Sequence, residues 1–331
     1  MKKLKGLLAL LALLAVLIVI GASAVIGQVV HNRLPQTLER FNNQQKLLTA
    51  TLSGSRQGWF SSWIEIEFLD AATGRPVATL SQQLKHGPLL GLFASPGLLR
   101  SEGTLVFGDQ RADAAGFVSL GGSGRYTLSA PLWRPVKTLG IETARLELFF
   151  SKAGHAKNLR IHATADKILF ADRAALEKPD LMLDLEGIDA AALGNPQPQG
   201  IDAAITALIA QGDAGASLTA KASVVQEGSP VELQLRLSTN PSASYIPGNL
   251  AALLFKIELE GSLKGTPEAV AALYELGTNK GDRLLQQAAR LEQKGYLKPL
   301  EGGRKQLDVR AEKGNWSVGG RSVFQLMLDL R

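Results

Sequence analysis

Four histidines are the side chains of this sequence best suited to metal binding or proton transfer. They are His31, His86, His155 and His162. None has the HExxH spacing that places two imidazoles on one helix face, and no two share a compact ligand motif. The chain contains no cysteine, which excludes thiolate ligands, disulfides and cysteine nucleophiles. The sequence therefore predicts no metal, no cofactor and no catalytic residues.

Other motifs that could support catalysis are incomplete. The stretch GGSGR at 121–125 lacks the GK[ST] ending of a phosphate loop and precedes the strand-like YTLS, so it predicts a tight turn. No G-x-S-x-G elbow occurs, and the carboxylates lie on predicted solvated strand faces. We expect a protein that is not an enzyme. A hydrolase, which would gather groups such as His86 or Asp166 in a pocket, is an alternative.

The stretch SRQGWFSSWIEIEF at 55–68 places two of the four tryptophans within five residues. Gly58 would let the backbone turn out of a preceding helix into the first strand, beginning near Arg56. Trp59 and Phe60 would bury a large area where that strand meets the sheet. Ser61 and Ser62 would satisfy amides of the turn. The alternative is an aromatic patch that faces a partner or lipid.

A second motif, HGPLLG at 86–91, follows the strand-like ATLSQQLK. We expect His86, Gly87 and Pro88 to form a turn, since glycine and proline are the strongest turn residues. A ligating or acid–base role of His86 is the alternative. It would require a second catalytic group, and the sequence offers none.

The composition is that of a globular protein, because 45% of the 331 residues are hydrophobic and 20% are charged. The net charge is +6, and the basic residues are dispersed among acidic ones. No basic arm or patch marks a nucleic-acid site. We expect no nucleic-acid partner.

The N-terminal segment predicts membrane attachment. A basic tail at 1–6 precedes an apolar run at 7–30 that contains no charged residue. About 22 helical residues span about 33 Å, which matches the hydrocarbon thickness of a bilayer. This favours a single uncleaved signal anchor. A signal peptide cleaved after Ala24, in the small-x-small sequence ASA, is the alternative. Both interpretations send the rest of the chain across the membrane.

The remainder predicts a mainly β protein. Residues 31–54 are expected to form a helical spacer, with Pro35 in its first turn. The body at 55–331 shows alternating strands, which predict an antiparallel, elongated or curled sheet. These alternations lie around 64–68, 145–150, 181–186, 232–237, 256–260 and 307–310, with a last one at 326–330. A late helical pair is predicted at 266–277 and 281–295.

Two features of the middle of the chain remain weaker signals. A third helix is predicted over 201–210. The proline- and glycine-rich stretch at 194–200 marks a sub-domain boundary within an otherwise continuous β-rich body.

The two motifs and their setting resemble the YdgA-like family of bacterial proteins of unknown function. The matching positions are Arg56, Gly58, Trp59, Phe60, Ser61, Ser62, His86, Gly87 and Pro88. The resemblance implies a bacterial inner-membrane protein with one N-terminal span and a periplasmic body. It supplies no catalytic residues.

Three functions follow as expectations. The first is a non-catalytic envelope protein that binds a partner or maintains an envelope assembly. The second is a carrier that receives a lipid or another hydrophobe on the dry face of a curled sheet. The third is the hydrolase already described. The first two differ in whether a second layer covers the apolar sheet face.

Overall fold

The computed structural model describes residues 27–43, 48–87, 97–136, 138–153, 156–170, 173–188, 216–240, 255–278 and 281–329. Over these residues the protein is mainly β, and the paired strands with assigned register run antiparallel. The chain divides into two compact units. Unit 1 comprises Met1–Pro131 with Glu147–Ser151, and unit 2 comprises Leu132–Leu146 with Lys152–Arg331.

Unit 1 contains a helix, α1 (27–43), followed by a sheet whose successive strands are neighbours. The strands are β1 (Leu48–Gln57), β2 (Ser61–Asp70), β3 (Pro76–His86), β4 (Gly97–Phe107), β5 (Gln110–Ser119) and β6 (Gly124–Val136). Strand β6 belongs to this unit as far as Pro131, and strand β7 (Leu139–Ala153) adds Glu147–Ser151 to it. GGSGR forms the predicted tight turn, in which the Ser119 amide donates to the Ser123 carbonyl at 2.8 Å.

The core of unit 1 lies between α1 and one sheet face. Val30, Leu34, Leu38 and Phe41 recur at helical spacing on α1 and pack on Ala50, Ile64, Ile66 and Leu84 of the first three strands. The Phe41 and Phe68 rings meet edge to face with centroids 6.1 Å apart. The strands therefore alternate as predicted, with one dry and one wet face.

Asn42 connects the end of α1 to the edge of the sheet. Its side-chain amide donates to the Ala50 carbonyl at 2.9 Å, and its side-chain oxygen accepts from the Ala50 amide at 2.6 Å. The side chain thus reproduces the paired hydrogen bonds of a neighbouring strand. This arrangement satisfies backbone groups of β1 and determines where the helix ends on the sheet.

Unit 2 contains antiparallel strands paired in the order β8–β10–β11–β12–β13–β15–β16–β17. Strand β9 pairs with another part of β10, and β14 pairs with β15. The strands are β8 (Ala156–Thr164), β9 (Lys167–Phe170), β10 (Arg173–Ile188), β11 (Ser217–Gln226), β12 (Ser229–Thr239), β13 (Ile257–Gly265), β14 (Lys298–Pro299), β15 (Lys305–Glu312), β16 (Asn315–Val318) and β17 (Arg321–Ser322). The helices are α2 (Pro267–Thr278), α3 (Gly281–Gln293) and α4 (Val323–Asp329).

Most of the predicted elements are confirmed. The alternating stretches around 64–68, 145–150, 181–186, 232–237, 256–260 and 307–310 lie in β2, β7, β10, β12, β13 and β15. The helical pair is α2 and α3, and the predicted cap Thr266 accepts from the Ala269 amide through its hydroxyl at 3.3 Å.

Three predictions about element boundaries are wrong. The helical spacer expected at 31–54 is helical over 31–43, but Leu48–Gln57 forms β1. Pro35 lies inside α1 rather than in its first turn. Residues 326–329 of the strand expected at 326–330 lie in α4, because Val323, Leu326 and Met327 also fit helical spacing.

Within the described part of the chain, no helix combines the length and apolarity that a bilayer crossing requires.

Several predictions fall on other parts of the sequence. Residues 7–26 of the predicted anchor, the boundary at 194–200 and the helix at 201–210 lie outside the described residues. Residues 27–30 of the apolar run are helical and belong to α1.

The packing of unit 1 gives a stability prediction. Leu84 is 4% exposed in the core beneath α1, so Leu84→Ala should lower the free energy of unfolding by about 2–5 kcal/mol. Its neighbour Gln83 points to the opposite, exposed face, and Gln83→Ala should change stability by less than about 0.5 kcal/mol. Chemical denaturation of both purified variants measures the difference, and equal effects would contradict the assignment of the two faces.

Candidate functional site

The first motif forms the turn between β1 and β2 and does not link a helix to the first strand. The Gly58 amide donates to the Ser61 carbonyl at 2.8 Å, which closes a tight turn with Trp59 and Phe60 at its tip. A Cβ at position 58 would stand 2.8 Å from the Ser61 carbonyl oxygen, so glycine is required there by close approach. Arg56 is exposed and is the cross-strand neighbour of Trp63 in the β1–β2 pair.

The predicted burial of the two tip aromatics is wrong. Trp59 is 69% exposed and Phe60 is 52% exposed, because the turn projects beyond the end of the sheet. Trp63 is more sheltered. Its ring lies over Gly54, and its indole N–H donates to the Ser81 hydroxyl at 3.0 Å. The alternative interpretation, an exposed aromatic patch, agrees with the positions of Trp59 and Phe60.

The second motif meets the first at the same end of the sheet. The His86 amide donates to the Phe60 carbonyl at 2.9 Å, and the Gly87 amide donates to the Leu98 carbonyl at 3.3 Å. Gly87 has φ 132°, a conformation that favours glycine. Pro88 lies outside the described residues. The structure therefore brings together two segments that are 24 residues apart in sequence.

A buried hydrogen bond joins the two motifs. Ser62 Oγ lies 2.9 Å from His86 Nε2, and the two residues are 7% and 3% exposed. Ser62 thus bonds to the histidine, whereas the sequence predicted that it would satisfy turn amides. The pair lies at the edge of the apolar core beneath α1, where a polar group needs a partner.

Helix α1 covers this pair. A Cβ at Gly27 would stand 2.5 Å from Cε1 and 2.8 Å from Nε2 of the His86 ring, so the imidazole lies directly against the helix backbone at Gly27. The lack of a side chain at position 27 allows this approach. Sequence analysis missed Gly27, because its role appears only when the helix is docked on the sheet.

A serine bonded to a histidine is the geometry of a nucleophile and its general base. Here the pair is buried against α1 at Gly27 and against the core. A substrate carbonyl would have to displace this part of α1 to reach the Ser62 oxygen. The arrangement fits a role in positioning α1 and the aromatic turn relative to each other.

A second buried polar contact lies further along the same sheet face. Gln82 donates to the Tyr126 hydroxyl at 2.6 Å. Burial raises the pKa of Tyr126, and the hydrogen bond from Gln82 opposes part of that rise. Gln82 occupies an inward position of β3, where the alternating pattern calls for an apolar residue. A glutamine at such a position indicates a polar partner on the same sheet face, and this could have been recognised from the sequence.

Unit 2 presents a different candidate site, an apolar sheet face. The register aligns apolar residues in three rows that we call the apolar rows. The first row is Ala163, Leu181, Ala222, Leu233, Leu263 and Leu307. The second is Ile161, Leu183, Ala220, Leu235, Gly261, Val309 and Val318. The third is Leu159, Leu185, Leu218, Leu237, Leu259, Ala311 and Trp316.

The apolar rows remain partly open to solvent. Leu181 is 53% exposed and Leu233 is 47% exposed, and most other members are only half-buried. Helix α2 reaches this face beyond the first row, where a Cβ on Gly265 would stand 3.0 Å from Val270 and 3.2 Å from Val231. The third row is better covered, since Ala216 is fully buried against Leu185, Leu218 and Leu237.

The opposite face of the same sheet is charged. Arg304 donates to Glu232 at 2.7 Å and Lys298 donates to Asp308 at 2.6 Å. The hydrogen bond from Arg304 holds the pKa of Glu232 below its usual value. The sheet therefore has one solvated ionic face and one apolar face.

The remaining candidates for chemistry do not converge. The His162 ring nitrogen Nε2 lies 3.0 Å from an Asp180 carboxylate oxygen on the charged face. Asp166 is exposed, and its backbone amide donates to the Glu142 carbonyl at 3.0 Å. His155 lies outside the described residues. Among the residues that the structure describes, no group of three or more His, Cys, Asp or Glu is placed to hold a metal ion.

The contact between α1 and His86 gives a prediction. Gly27→Ala should destabilise the protein by about 1–3 kcal/mol, because its Cβ would overlap the imidazole. Gln28→Ala, at the exposed neighbouring position, should have little effect. Denaturation midpoints measure both.

A double-mutant cycle tests the cause of that destabilisation. With His86→Ala present, Gly27→Ala should lose most of its effect, since the clashing ring is gone. Additive effects of the two substitutions would contradict the contact.

Comparison with known proteins gives a family and no individual relative. No curated protein and no solved structure matches the chain. The model of a family described as a bacterial protein of unknown function (DUF945) matches residues 1–195. This is more than half of the 331 residues, and the chain therefore belongs to the DUF945 family.

Proposed function

We propose that this protein is a non-catalytic lipid-binding protein of the bacterial envelope, anchored in the inner membrane with its body in the periplasm. The proposed ligand is a lipid acyl chain bound on the apolar rows of unit 2. The resemblance of the two motifs to the YdgA-like family supports the location. The apolar rows carry the ligand proposal.

The proposed anchor is supported by the uncharged apolar run near the N-terminus and by the helix that contains the last residues of this run. Residues 7–26 contain no charge and would span about 30 Å as a helix, the thickness of a bilayer's hydrocarbon core. Lys2, Lys3 and Lys5 precede the run, as expected for a cytoplasmic end. Residues 27–30 of the run are helical and belong to α1, whose apolar residues from Val30 onward pack on the sheet.

The dimensions of the apolar rows suit an acyl chain. Rows of six or seven strands at about 4.8 Å per strand are about 24–29 Å long. Half of a bilayer's hydrocarbon core, which one acyl chain fills, is about 15 Å thick. Apart from the indole N–H of Trp316, the rows contain only apolar side-chain groups and glycine, so they offer little to a headgroup or to a polar substrate. Hydrophobic contact is the interaction that they support.

A polypeptide partner is the second candidate. Helix α4 exposes Phe324, Met327 and Leu328, and a groove of about 800 Å³ runs beside it between Trp316, Lys313 and Phe324. Exposed aromatic and methionine side chains at a groove are typical of peptide-binding surfaces. This is the partner-binding role that the sequence favoured.

The proposed topology can be tested because the chain contains no cysteine. Ala71, in the exposed β2–β3 turn, can be replaced by cysteine as a single labelling site. A membrane-impermeant maleimide applied to cells whose outer membrane alone is permeabilised should modify Ala71→Cys. A Lys3→Cys variant should react only after the inner membrane is opened, and the reverse pattern would contradict the periplasmic location.

The lipid proposal can be tested with a photocrosslinking amino acid in the full-length chain in cells. At Leu233, on the apolar rows, the crosslinker should yield phospholipid adducts detectable by mass spectrometry. At Gln234, the adjacent exposed residue on the charged face, it should yield none. Leu181→Asp lies in the same row and should reduce the adduct about tenfold or more, because an ionised carboxylate is unfavourable beside an acyl chain.

Met182→Asp, on the opposite face of β10, is the matched control and should leave the adduct at Leu233 unchanged. Crosslinks from Leu233 to another protein would mean that a polypeptide occupies the apolar rows. Crosslinks to residues 189–215 or 241–254 of the same chain would mean that the chain covers its own apolar rows. Either result would overturn the lipid proposal.

A further inference from the structure

We propose that the β1–β2 turn of unit 1 is a membrane-contacting element, with Trp59 and Phe60 inserted in the headgroup region of the bilayer that holds the anchor. This inference rests on the proposed anchoring and adds a specific contact between the body and the lipid surface. We call Trp59 and Phe60 the aromatic corner.

The first support is that two large aromatic side chains are exposed although the core does not need them there. Trp59 and Phe60 project from the turn with more than half of their surface in solvent. These residues flank His86, whose ring contacts Gly27 and whose amide bonds to Phe60. An exposed aromatic group at one end of a domain indicates an interaction surface.

The second support is the length of chain that precedes this corner. Gly27 is the first described residue, and it is already buried against His86. The uncharged residues 7–26 are 20 in number, and as a helix they use about 30 Å, which is the whole hydrocarbon thickness. The bilayer surface should therefore lie at about residue 27. His86 contacts Gly27 through its ring and Phe60 through its backbone amide, so the aromatic turn lies close to residue 27.

The third support is the chemistry of the corner. Tryptophan and tyrosine are enriched at membrane–water interfaces because an aromatic body with a polar edge suits the headgroup region. The turn that carries Trp59 and Phe60 is braced by two backbone hydrogen bonds, one from Gly58 to Ser61 and one from His86 to Phe60. The aromatic side chains are therefore presented on a fixed backbone, which limits the entropy lost when they insert.

The charge around the corner favours an anionic lipid surface. Arg56, Lys85 and Arg100 are exposed at this end of β1, β3 and β4. The carboxylate of Glu102 lies 2.8 Å from Arg100 and 3.7 Å from Lys85. The local balance is still positive, and each basic residue near an anionic membrane surface contributes about 1 kcal/mol of attraction.

The test is a depth measurement on the full-length chain in vesicles of phosphatidylethanolamine and phosphatidylglycerol. Single cysteines carrying a nitroxide can be placed at Phe60 in the corner and at Ala71 in the opposite turn of β2. These positions are separated by the ten residues of β2, or about 33 Å. A third label at Leu14 reports on the anchor. Collisions with oxygen and with a water-soluble nickel complex measure the depth of each label.

We expect the Leu14 label to lie in the hydrocarbon region and the Ala71 label to be fully aqueous. The Phe60 label should collide with the nickel complex several-fold less often than the Ala71 label. Equal aqueous exposure at Phe60 and Ala71 with Leu14 buried would overturn the inference and leave the anchor intact. Aqueous exposure at Leu14 would overturn the anchor and, with it, this inference.

Native membranes distinguish lipid from a protein partner. If the Phe60 label is shielded in native membranes but aqueous in the pure lipid vesicles, a protein covers the corner and the lipid contact is wrong. Replacing phosphatidylglycerol with phosphatidylcholine should reduce the shielding at Phe60 without affecting Leu14, because the attraction of the basic residues is lost.

Discussion

The architecture of unit 1 depends on the docking of α1 across one face of its sheet. The apolar stripe from Val30 to Phe41 supplies non-directional contact area, and contacts on either side of this stripe determine where the helix sits. After the stripe, Asn42 bonds to the backbone of Ala50. Before it, Gly27 rests on the His86 ring, which Ser62 holds by a buried hydrogen bond. The chain therefore enters the body at one defined corner of the sheet.

The two units treat their apolar sheet faces differently. In unit 1 a helix of 17 residues, 27–43, lies over the face and buries Ile64, Ile66 and Leu84. In unit 2 the late helices begin immediately after β13 and bury small residues such as Ala269 and Ala271. Helix α2 contacts the sheet at Val231, beyond the first apolar row. Leu181 and Leu233 remain exposed as a consequence, and this difference is the physical basis of the ligand proposal.

Sequence patterns predicted strands well where long apolar residues alternate with charges, as in β2, β10 and β12, because a half-buried strand requires that alternation. Strand β1 was missed, since its outward residues are Thr49, Thr51 and Ser53 and its inward ones include Ala50. Small residues fit there because α1 approaches closely, which only the folded arrangement reveals.

The candidate site was also only partly predictable, because its geometry depends on the folded arrangement. Sequence analysis selected His86, Ser62 and the two aromatics, but whether Trp59 points into the core or outward depends on the hairpin geometry.

The partial exposure of the apolar rows is easier to reconcile with an anchored protein than with one that diffuses freely. Exposed apolar sheet surface on a soluble protein promotes self-association, and a freely diffusing carrier must shield a bound acyl chain from water on all sides. Under the proposed function, the anchor confines the protein to a membrane that supplies apolar ligand at high local concentration. An open face would then exchange ligand without a large conformational change. The charged opposite face, with ion pairs such as Arg304–Glu232, would stay solvated throughout.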